Sequence, residues 1–310
     1  MRVFGPEPLL AIIAYVEACV NDGTPIELAV LDPDRGHGCY AGELVDGYVH
    51  RPWRVWIDLA ERMGLRLRTP RLGTPPLVEL SFEPLVRARA SRERGTERYG
   101  IGSTFARITK AEDPGFVLDL ADALARIELP PSPRVLSLGV NTGDELALLI
   151  ALGLGDATFV GVDHSASALA VARARFGANV ELVEADLGEP LALGRFDLVI
   201  AIDVLQSARL DDRALVRRIV QDHLTETGAV IFGLPNCRYV DGEVEYGTRM
   251  VNFRQPELGL LVKDVAFYRK YLQQHHRQVF VTGKHDVLVT AVANREQSVA
   301  DVVDSPEPAR

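Results

Sequence analysis

The second half of the chain alternates short apolar runs with segments whose apolar residues recur at helical spacing. Strands that alternate with helices favour parallel pairing through right-handed crossovers, and runs this apolar are typical of a sheet covered on both faces. We therefore predict a doubly wound α/β fold. Its predicted strands are RVLSLG, ATFVGVD, NVELVEAD, FDLVIAID and AVIFGLP, and its predicted helices are DELALLIALG, SASALAVARARFG, LDDRALVRRIVQDHLTETG and PELGLLVKDVAFYRKYLQQHH.

Capping residues and glycines mark the predicted ends of these elements. Ser165 is placed as the N-cap of the second helix and Gly177 as its stop, while Gly153 and Gly228 are placed at the ends of the first and third helices. Two further strands are predicted across the turn TGK in VFVTGKHDVLVTAV. One strand near the end of the sheet therefore runs antiparallel to the others.

The first half predicts a smaller α/β unit. It contains the helical segments PEPLLAIIAYVEACVNDG and HRPWRVWIDLAERMG and the strand-like segments IELAVLD, LRLRT and PPLVELSFEP. We divide the chain into an accessory domain at 1–90, a linker and lead-in helix at 91–133 that could form a lid, a core domain at 134–294, and a disordered tail at 295–310. The prolines near residue 130 are expected to end the lead-in helix.

Composition narrows the function classes. Of 310 residues, 47% are hydrophobic and 25% are charged, and no apolar run approaches the about 20 residues of a membrane helix. The N-terminus lacks signal-peptide features, and the three cysteines are widely spaced, so we expect a cytoplasmic chain with reduced thiols. The net charge of -9 argues against indiscriminate nucleic-acid binding.

Charge is unevenly distributed along the chain. Residues 51–110 contain 13 Lys or Arg against 6 Asp or Glu, which we call the basic strip. A strip of this kind could dock an anion or could be an ordinary solvated face. It contains no recognisable RNA-binding module, and the chain shows no DNA-binding module.

A turn with two glycines joins the first strand of the second half to its first helix. In LGVNTGD, Gly139 and Gly143 have no Cβ, so the backbone can turn tightly and a ligand can approach closely. Acids follow at three successive strand ends, Asp163, Asp186 and Asp203. In an open parallel sheet, such ends border the ligand crevice. There Asp163 could accept from both hydroxyls of a ribose, and Asp186 from an adenine amino group.

This combination resembles the class I S-adenosylmethionine-dependent methyltransferase family over about residues 134–294. The resemblance implies a Rossmann-like core with a mostly parallel seven-stranded sheet and an antiparallel last strand. It also implies S-adenosylmethionine as the cofactor and a methyl acceptor as the partner. The cofactor-binding residues that it implies are Gly139, Asn141, Gly143, Asp163, His164, Asp186, Leu187 and Asp203.

Two positions depart from the family pattern. The family commonly has an acid where this chain has Ser137 and a glycine where it has Asn141. Asn tolerates a left-handed backbone, and Asp144 or Glu145 could replace the missing acid near the cofactor's amino group. These departures leave a second reading open, a cofactor-binding module without catalysis.

A nicotinamide dehydrogenase is the third reading, because it shares the strand, the glycine turn and the ribose acid. Its G-x-G-x-x-G pattern requires a glycine at Asn141 and a small residue at Asp144. An acid at residue 144 would also lie close to a pyrophosphate. A cofactor without phosphates fits this turn better.

The acceptor is not identified by any motif. Candidate catalytic residues are Asp203, Tyr99, Asn236 and Tyr239, and Ser103, Phe105 and Lys110 are candidate lid residues. The insertion after the fifth strand also contributes Arg238, Tyr246 and Arg249, and it could equally be a plain surface hairpin. The basic strip keeps an anionic small molecule or RNA as acceptor candidates. Cys237 is interpreted as a buried thiol, and His37 with Cys39 are too few for a zinc site, so no metal is predicted.

Overall fold

The computed structural model describes residues 1–36, 39–86, 107–207, 210–246 and 260–294. The chain divides into two compact units. The first comprises Met1–Ala90 with Arg238–Tyr246, and the second comprises Ser91–Cys237 with Gly247–Arg310. Arg238–Tyr246, which the sequence analysis included in the core domain, thus groups with the N-terminal residues. The predicted domain limits themselves stay a prediction, and the predicted tail lies outside the described residues.

The first unit is a five-stranded sheet with strand order β1-β2-β7-β5, in which β6 also pairs with β7. Its helices are α1 (Leu9–Asp22) and α2 (Trp53–Met63). Its strands are β1 (Arg2–Val3), β2 (Ile26–Leu31), β3 (Leu44–Val45), β4 (Tyr48–Val49), β5 (Leu65–Leu67), β6 (Arg71–Leu72), β7 (Leu77–Pro84), β13 (Cys237–Val240) and β14 (Glu243–Tyr246).

Alternation along β7 explains the core of this unit. Val78, Leu80 and Phe82 are buried, and the residues between them are half-buried, as period-2 side-chain alternation requires. They pack in one cluster with Ile12 of α1 and Trp56 of α2. Both helices present one apolar stripe to the sheet.

The second unit is built on a seven-stranded sheet with strand order β10-β9-β8-β11-β12-β16-β15. Only β16 runs antiparallel to its neighbours. This architecture confirms the predicted doubly wound fold with an antiparallel last strand. The strands are β8 (Arg134–Leu138), β9 (Thr158–Asp163), β10 (Val180–Glu184), β11 (Phe196–Ile202), β12 (Leu224–Pro235), β15 (Arg277–Thr282) and β16 (Asp286–Ala293).

Helices cover both faces of this sheet. Val135 and Ile200 pack in a cluster with residues of α3, α4 and α5, whereas Leu136 and Val199 pack in a cluster with residues of α6 and α7. Successive residues of one strand thus point into two separate cores, which explains why the strands are apolar throughout. The helices are α3 (Pro114–Ala125), α4 (Asp144–Leu149), α5 (Ala166–Phe176), α6 (Asp212–Arg218) and α7 (Leu260–Gln274).

Two predicted helix ends are wrong. The segment that begins with α6 continues as a wider turn only to His223, and β12 starts at Leu224 rather than after Gly228. Leu224 pairs with Phe196 at the point where the β11–β12 register shifts, and a Cβ on Gly228 would lie 2.8 Å from the Phe196 carbonyl oxygen. Gly228 therefore lets a strand pass Phe196 and does not end a helix.

The lead-in helix α3 ends at Ala125, before the prolines near residue 130 that were expected to end it. Asp113 caps its start by accepting a hydrogen bond from the Gly115 N–H at 2.8 Å. Ser165 caps α5 as predicted, and Gly177 follows its last residue. Among the described residues, no helix is both long and apolar enough to cross a membrane.

Candidate functional site

The glycine turn leaves β8 at the point where the strand order of the sheet reverses, between β8 and β11. Gly139, Asn141 and Gly143 all have positive φ, at 71°, 45° and 85°. A Cβ on Gly139 would lie 2.4 Å from Val204 Cγ2, and a Cβ on Gly143 would lie 2.3 Å from Phe176 Cε2. Packing and backbone conformation therefore require these two glycines whether or not a ligand approaches the turn.

Asp163, at the end of β9, holds this turn in place. Its Oδ2 accepts from the Asn141 N–H at 2.9 Å, and its Oδ1 accepts from the Ser165 N–H at 2.9 Å. The residue is only 6% exposed. One carboxylate thus connects the glycine turn to the start of α5, and each oxygen keeps a second lone pair for a ligand hydroxyl.

The two acids after the turn differ in their surroundings. Asp144 Oδ1 lies 2.5 Å from Arg175 Nη1, so its charge is already paired. Burial raises the pKa of Glu145 to about 7, an effect that Lys110 partly opposes. Of the two acids that could replace the missing one at Ser137, Asp144 is thus engaged by Arg175, whereas Glu145 is a buried carboxyl group that is about half protonated at pH 7.

The remaining implied cofactor residues lie after β9 and β10. Asp186 is exposed, and its Oδ1 accepts from the Gly188 N–H at 2.8 Å in a tight turn. His164 is exposed with its Nδ1 3.6 Å from Asp163 Oδ1, and Leu187 is half-buried. The sheet brings the ends of β8, β9 and β10 side by side, so all of these residues lie along one edge.

Asp203 follows β11 in a left-handed conformation, with φ of 57°. Its N–H donates to the Gly233 carbonyl at 3.0 Å, and its side chain is 34% exposed. A non-glycine residue held in this region costs about 1–3 kcal/mol. Asp203 Oδ2 contacts the ammonium of Lys110.

Lys110 also contacts Asp286, a residue that sequence reasoning missed. The Lys110 Nζ lies 2.5 Å from Asp286 Oδ1, and the Asp286 side chain is 2% exposed. Burial opposes the charge on Lys110, yet Asp203 and Asp286 together raise its pKa above the ordinary value. The sequence did contain a signal, because an acid that opens an antiparallel last strand must lie at the edge where the parallel strands end.

Two of the other catalytic candidates lie in a loop and in a hairpin. Asn236 Nδ2 donates to the Lys284 carbonyl at 3.1 Å, which gives it a place in the loop structure. Tyr239 lies on β13 in the first unit, where β13 and β14 form a hairpin across Asp241 and Gly242. Outside the described residues lie the predicted Tyr99, Ser103, Phe105 and Arg249.

Cys237 is 4% exposed, and burial raises the pKa of its thiol to about 12. The thiol therefore stays protonated near neutral pH and is not a nucleophile. All three cysteines are free. Among the described residues, no group of three His, Cys, Asp or Glu side chains could hold a metal ion.

Several basic residues in the described part of the basic strip pair with acidic neighbours. Arg66 pairs with Asp241 and Glu243, Arg54 pairs with Asp58, and Arg68 pairs with Glu83. Arg51 donates to backbone carbonyls, and Lys110 pairs inside the second unit. Charge counting along the sequence therefore overstated what these paired residues offer to an anion.

Comparison with known proteins places this geometry in context. Residues 135–228 match the family described as "Methyltransferase domain". The chain is 36% identical over 107 residues to the carboxy-S-adenosyl-L-methionine synthase of Methylococcus capsulatus. That match covers 33% of this chain and 44% of the synthase. It is also 34% identical over 182 residues to the release factor glutamine methyltransferase of Geobacter sulfurreducens. This second match covers 56% of this chain and 62% of that methyltransferase.

The chain therefore spans between two fifths and two thirds of the length of these curated relatives. Among solved structures, it is similar to an S-adenosylmethionine-dependent methyltransferase from Mesorhizobium loti, at 18% identity and a TM-score of 0.41. That match covers 55% of this chain and 95% of the other.

Proposed function

We propose, from the premise that residues 135–228 form a class I S-adenosylmethionine-dependent methyltransferase domain, that this chain transfers a methyl group from S-adenosylmethionine to an acceptor. The family match confirms the resemblance predicted from the glycine turn and the strand-end acids. The acceptor and the residues that carry out the transfer are parts of the proposal.

The residues at the crevice fit a cationic nucleoside without phosphates. Asp163, Asp186 and Glu145 offer carboxyl groups there, and the ammonium of Lys110 is paired by two other acids, Asp203 and Asp286. A pyrophosphate would meet this excess of negative charge unfavourably, which weighs against the dehydrogenase reading. The surplus of carboxylates is the observation that carries the proposal.

We assign a role to each residue on this basis. Asp163 accepts from the ribose hydroxyls, Asp186 accepts from the adenine amino group, and Glu145 faces the cofactor's amino group. When bound, S-adenosylmethionine supplies a methyl group on a sulfonium leaving group. The protein then has to align the acceptor with that methyl and exclude water, so proximity supplies much of the rate.

Binding of S-adenosylhomocysteine to two Asp→Asn variants tests the assignment of Asp163. Asp197 is the matched control, because its Oδ2 also accepts a backbone N–H, that of Arg134 at 2.9 Å, at the opposite end of the sheet. By isothermal titration, Asp163→Asn should weaken binding about 10- to 100-fold, as expected for a lost charged acceptor. Asp197→Asn should bind like the wild type, and equal binding by both variants would remove the assignment.

Methyl transfer itself is tested with S-adenosylmethionine labelled on the methyl group and a cell extract. Fractionation into RNA, protein and small molecules should place the label in one class, and an anionic acceptor stays among the candidates. Tight S-adenosylhomocysteine binding without any label transfer would instead support the non-catalytic module. Heat protection by NAD alone would support the dehydrogenase. A cytoplasmic location, for which the free cysteines argue, is part of this proposal.

A further inference from the structure

A buried cluster of one lysine and two carboxylates lies beside the proposed cofactor residues. Lys110 bridges Asp203 and Asp286, and we call these three residues the lysine–aspartate cluster. The Lys110 ammonium also lies 5.3 Å from the centre of the Phe116 ring, which favours its charged form. The cluster carries one negative charge in excess.

Two carboxylate oxygens of this cluster have no hydrogen-bond donor within the described part of the chain. They are Asp203 Oδ1 and Asp286 Oδ2, and both atoms are buried. Asp286 as a residue is only 3% exposed, so solvent satisfies it poorly. A buried acceptor without a donor costs about 1–3 kcal/mol, more when it is charged, and native proteins rarely keep one without a reason. The cluster lacks donors, and a ligand could supply them.

The position of the cluster indicates which ligand this is. Asp286 opens β16 opposite Pro235, the last residue of β12, so it lies at the edge where the parallel strands end. Asp203 lies at the same edge, next to the end of β8 and its glycine turn. The roles proposed for Glu145 and Asp163 leave the cluster, which lies near Glu145, available for the acceptor.

We propose that the lysine–aspartate cluster binds the methyl acceptor as an amine, whose N–H groups donate to Asp286 Oδ2 and Asp203 Oδ1. This inference rests on the proposed methyl transfer and names its substrate class. An ammonium group matches both the excess negative charge and the missing donors. An anionic acceptor would add charge to two carboxylates that one lysine only partly neutralises.

The proposed step moves one proton from the amine to Asp286 and one methyl group from sulfur to nitrogen. An amine arrives protonated, and Asp286 takes one proton from its nitrogen, which leaves a free electron pair. The nitrogen forms a bond to the methyl carbon while the carbon–sulfur bond breaks and its electron pair stays on sulfur. The product leaves as a methylated ammonium, and Asp286 returns its proton to solvent. Burial raises the pKa of Asp286 to about 6, which suits proton transfer near neutral pH.

A matched pair of probes tests the charge preference directly. Benzylammonium and benzoate have the same ring and opposite charges, and each is added to the full-length protein saturated with S-adenosylhomocysteine. Benzylammonium should raise the Tm by about 2–4 °C at concentrations well above its Kd, and benzoate should leave it unchanged. No shift with benzylammonium, or an equal shift with benzoate, would overturn the proposal.

Two variants on β16 separate binding from general stability. Asp286→Asn removes the charge and should abolish the benzylammonium shift while S-adenosylhomocysteine binding is retained. Thr290→Val is the control, because Thr290 is 1% exposed and its Oγ1 also lacks a partner among the described residues. It should keep the full shift. If Asp286→Asn loses S-adenosylhomocysteine binding instead, the cluster holds the cofactor and the inference fails.

Chemical capping of an extract distinguishes this inference from the proposed function. Treatment with an acetylating reagent blocks amines before labelled S-adenosylmethionine and enzyme are added. Most of the label should disappear, and label from the untreated extract should survive hot alkali, as an N-methyl group does and a methyl ester does not. Undiminished labelling would be consistent with methyl transfer but would contradict an amine acceptor. A lack of any labelling together with a lack of S-adenosylhomocysteine binding would contradict both the proposed methyl transfer and the amine acceptor.

Discussion

On the proposed cofactor side of the crevice, both oxygens of Asp163 accept backbone N–H groups. On the proposed acceptor side, Asp203 and Asp286 each keep a buried oxygen without a donor among the described residues. The first side is satisfied by its own chain and is therefore preorganised. The second carries an electrostatic cost in the free protein that a suitable ligand would relieve. Under the roles proposed above, Asp163 is part of the fold before the cofactor binds, while the lysine–aspartate cluster has acceptors left for a ligand.

Removing Lys110 should have the largest effect on this contrast. Lys110→Met leaves the buried carboxylate of Asp286 beside the partly exposed one of Asp203 without their shared cation, and should lower the free energy of unfolding by about 3 kcal/mol. Asp286 has a pKa of about 6 in the fold, above the ordinary 3.8 of an unfolded Asp. Its neutral form is favoured by the fold at low pH, so the loss should be smaller at pH 5 than at pH 8. Urea unfolding at both pH values measures this.

The control for this variant is Lys270→Met, which removes an exposed lysine of α7 and should change the free energy of unfolding by less than about 0.5 kcal/mol. The double variant Lys110→Met/Asp286→Asn should recover part of the loss, because one of the two facing charges is gone. An unaltered free energy of unfolding in Lys110→Met would mean that the ammonium does not hold this cluster together.

On the cofactor side, Gly139→Ala should destabilise by about 3 kcal/mol, because the new Cβ adds left-handed strain to an overlap with Val204. Gly153→Ala is the matched control, since Gly153 also has positive φ but no atom within 4 Å of the new Cβ. It should cost about 1 kcal/mol from backbone strain alone. Thermal unfolding compares the two variants, and Val204→Ala should partly rescue the first. Equal losses would show that packing does not require Gly139.

Replacing Glu145 should stabilise the protein and weaken its cofactor binding. The fold raises the pKa of this group from 4.5 to about 7, so the stability of its neutral form is present below pH 4.5 and is lost as the pH rises through 7. Glu145→Gln keeps a neutral group at all pH values and should gain about 1–3 kcal/mol at pH 8, with no gain at pH 4. Urea unfolding at pH 4 and pH 8 measures the gain in stability, and S-adenosylhomocysteine titration measures the loss of binding. A gain at pH 4 as large as at pH 8 would contradict it.

The strands and turns that carry the proposed cofactor residues could be predicted because their signals are local. A strand, a glycine turn and a helix follow one another within about twenty residues, and Asp163 and Asp186 lie at or just after the ends of recognisable strands. The sheet then brings these ends together by a rule that holds for any parallel α/β fold. The mostly parallel seven-stranded sheet with an antiparallel last strand followed from the family resemblance and is confirmed.

The acceptor half could not be predicted in the same way. Lys110 and Asp286 are separated by 176 residues, and Lys110 appeared in the sequence only as one of several basic residues and as a candidate for a lid. Pairing at that distance depends on where α3 and β16 pack, which periodicity does not encode. The same limit explains the end of the helix that begins with α6, because Leu224 fits helical spacing and yet is buried in a strand.

The smallest effect is expected for the basic strip, and it sharpens the contrast between buried and solvated charges. Arg68 lies 3.5 Å from Glu83, and both side chains are about half exposed, whereas the Lys110 side chain is 13% exposed. Arg68→Gln should therefore change the free energy of unfolding by less than about 0.5 kcal/mol, an effect that disappears in high salt. Urea unfolding at low and high salt measures the stability of this variant. Labelling of the extract measures its methyl transfer, which we expect to be unchanged. A large loss of labelling would favour an anionic acceptor that binds Arg68, because a solvated ion pair has no other reason to matter for methyl transfer.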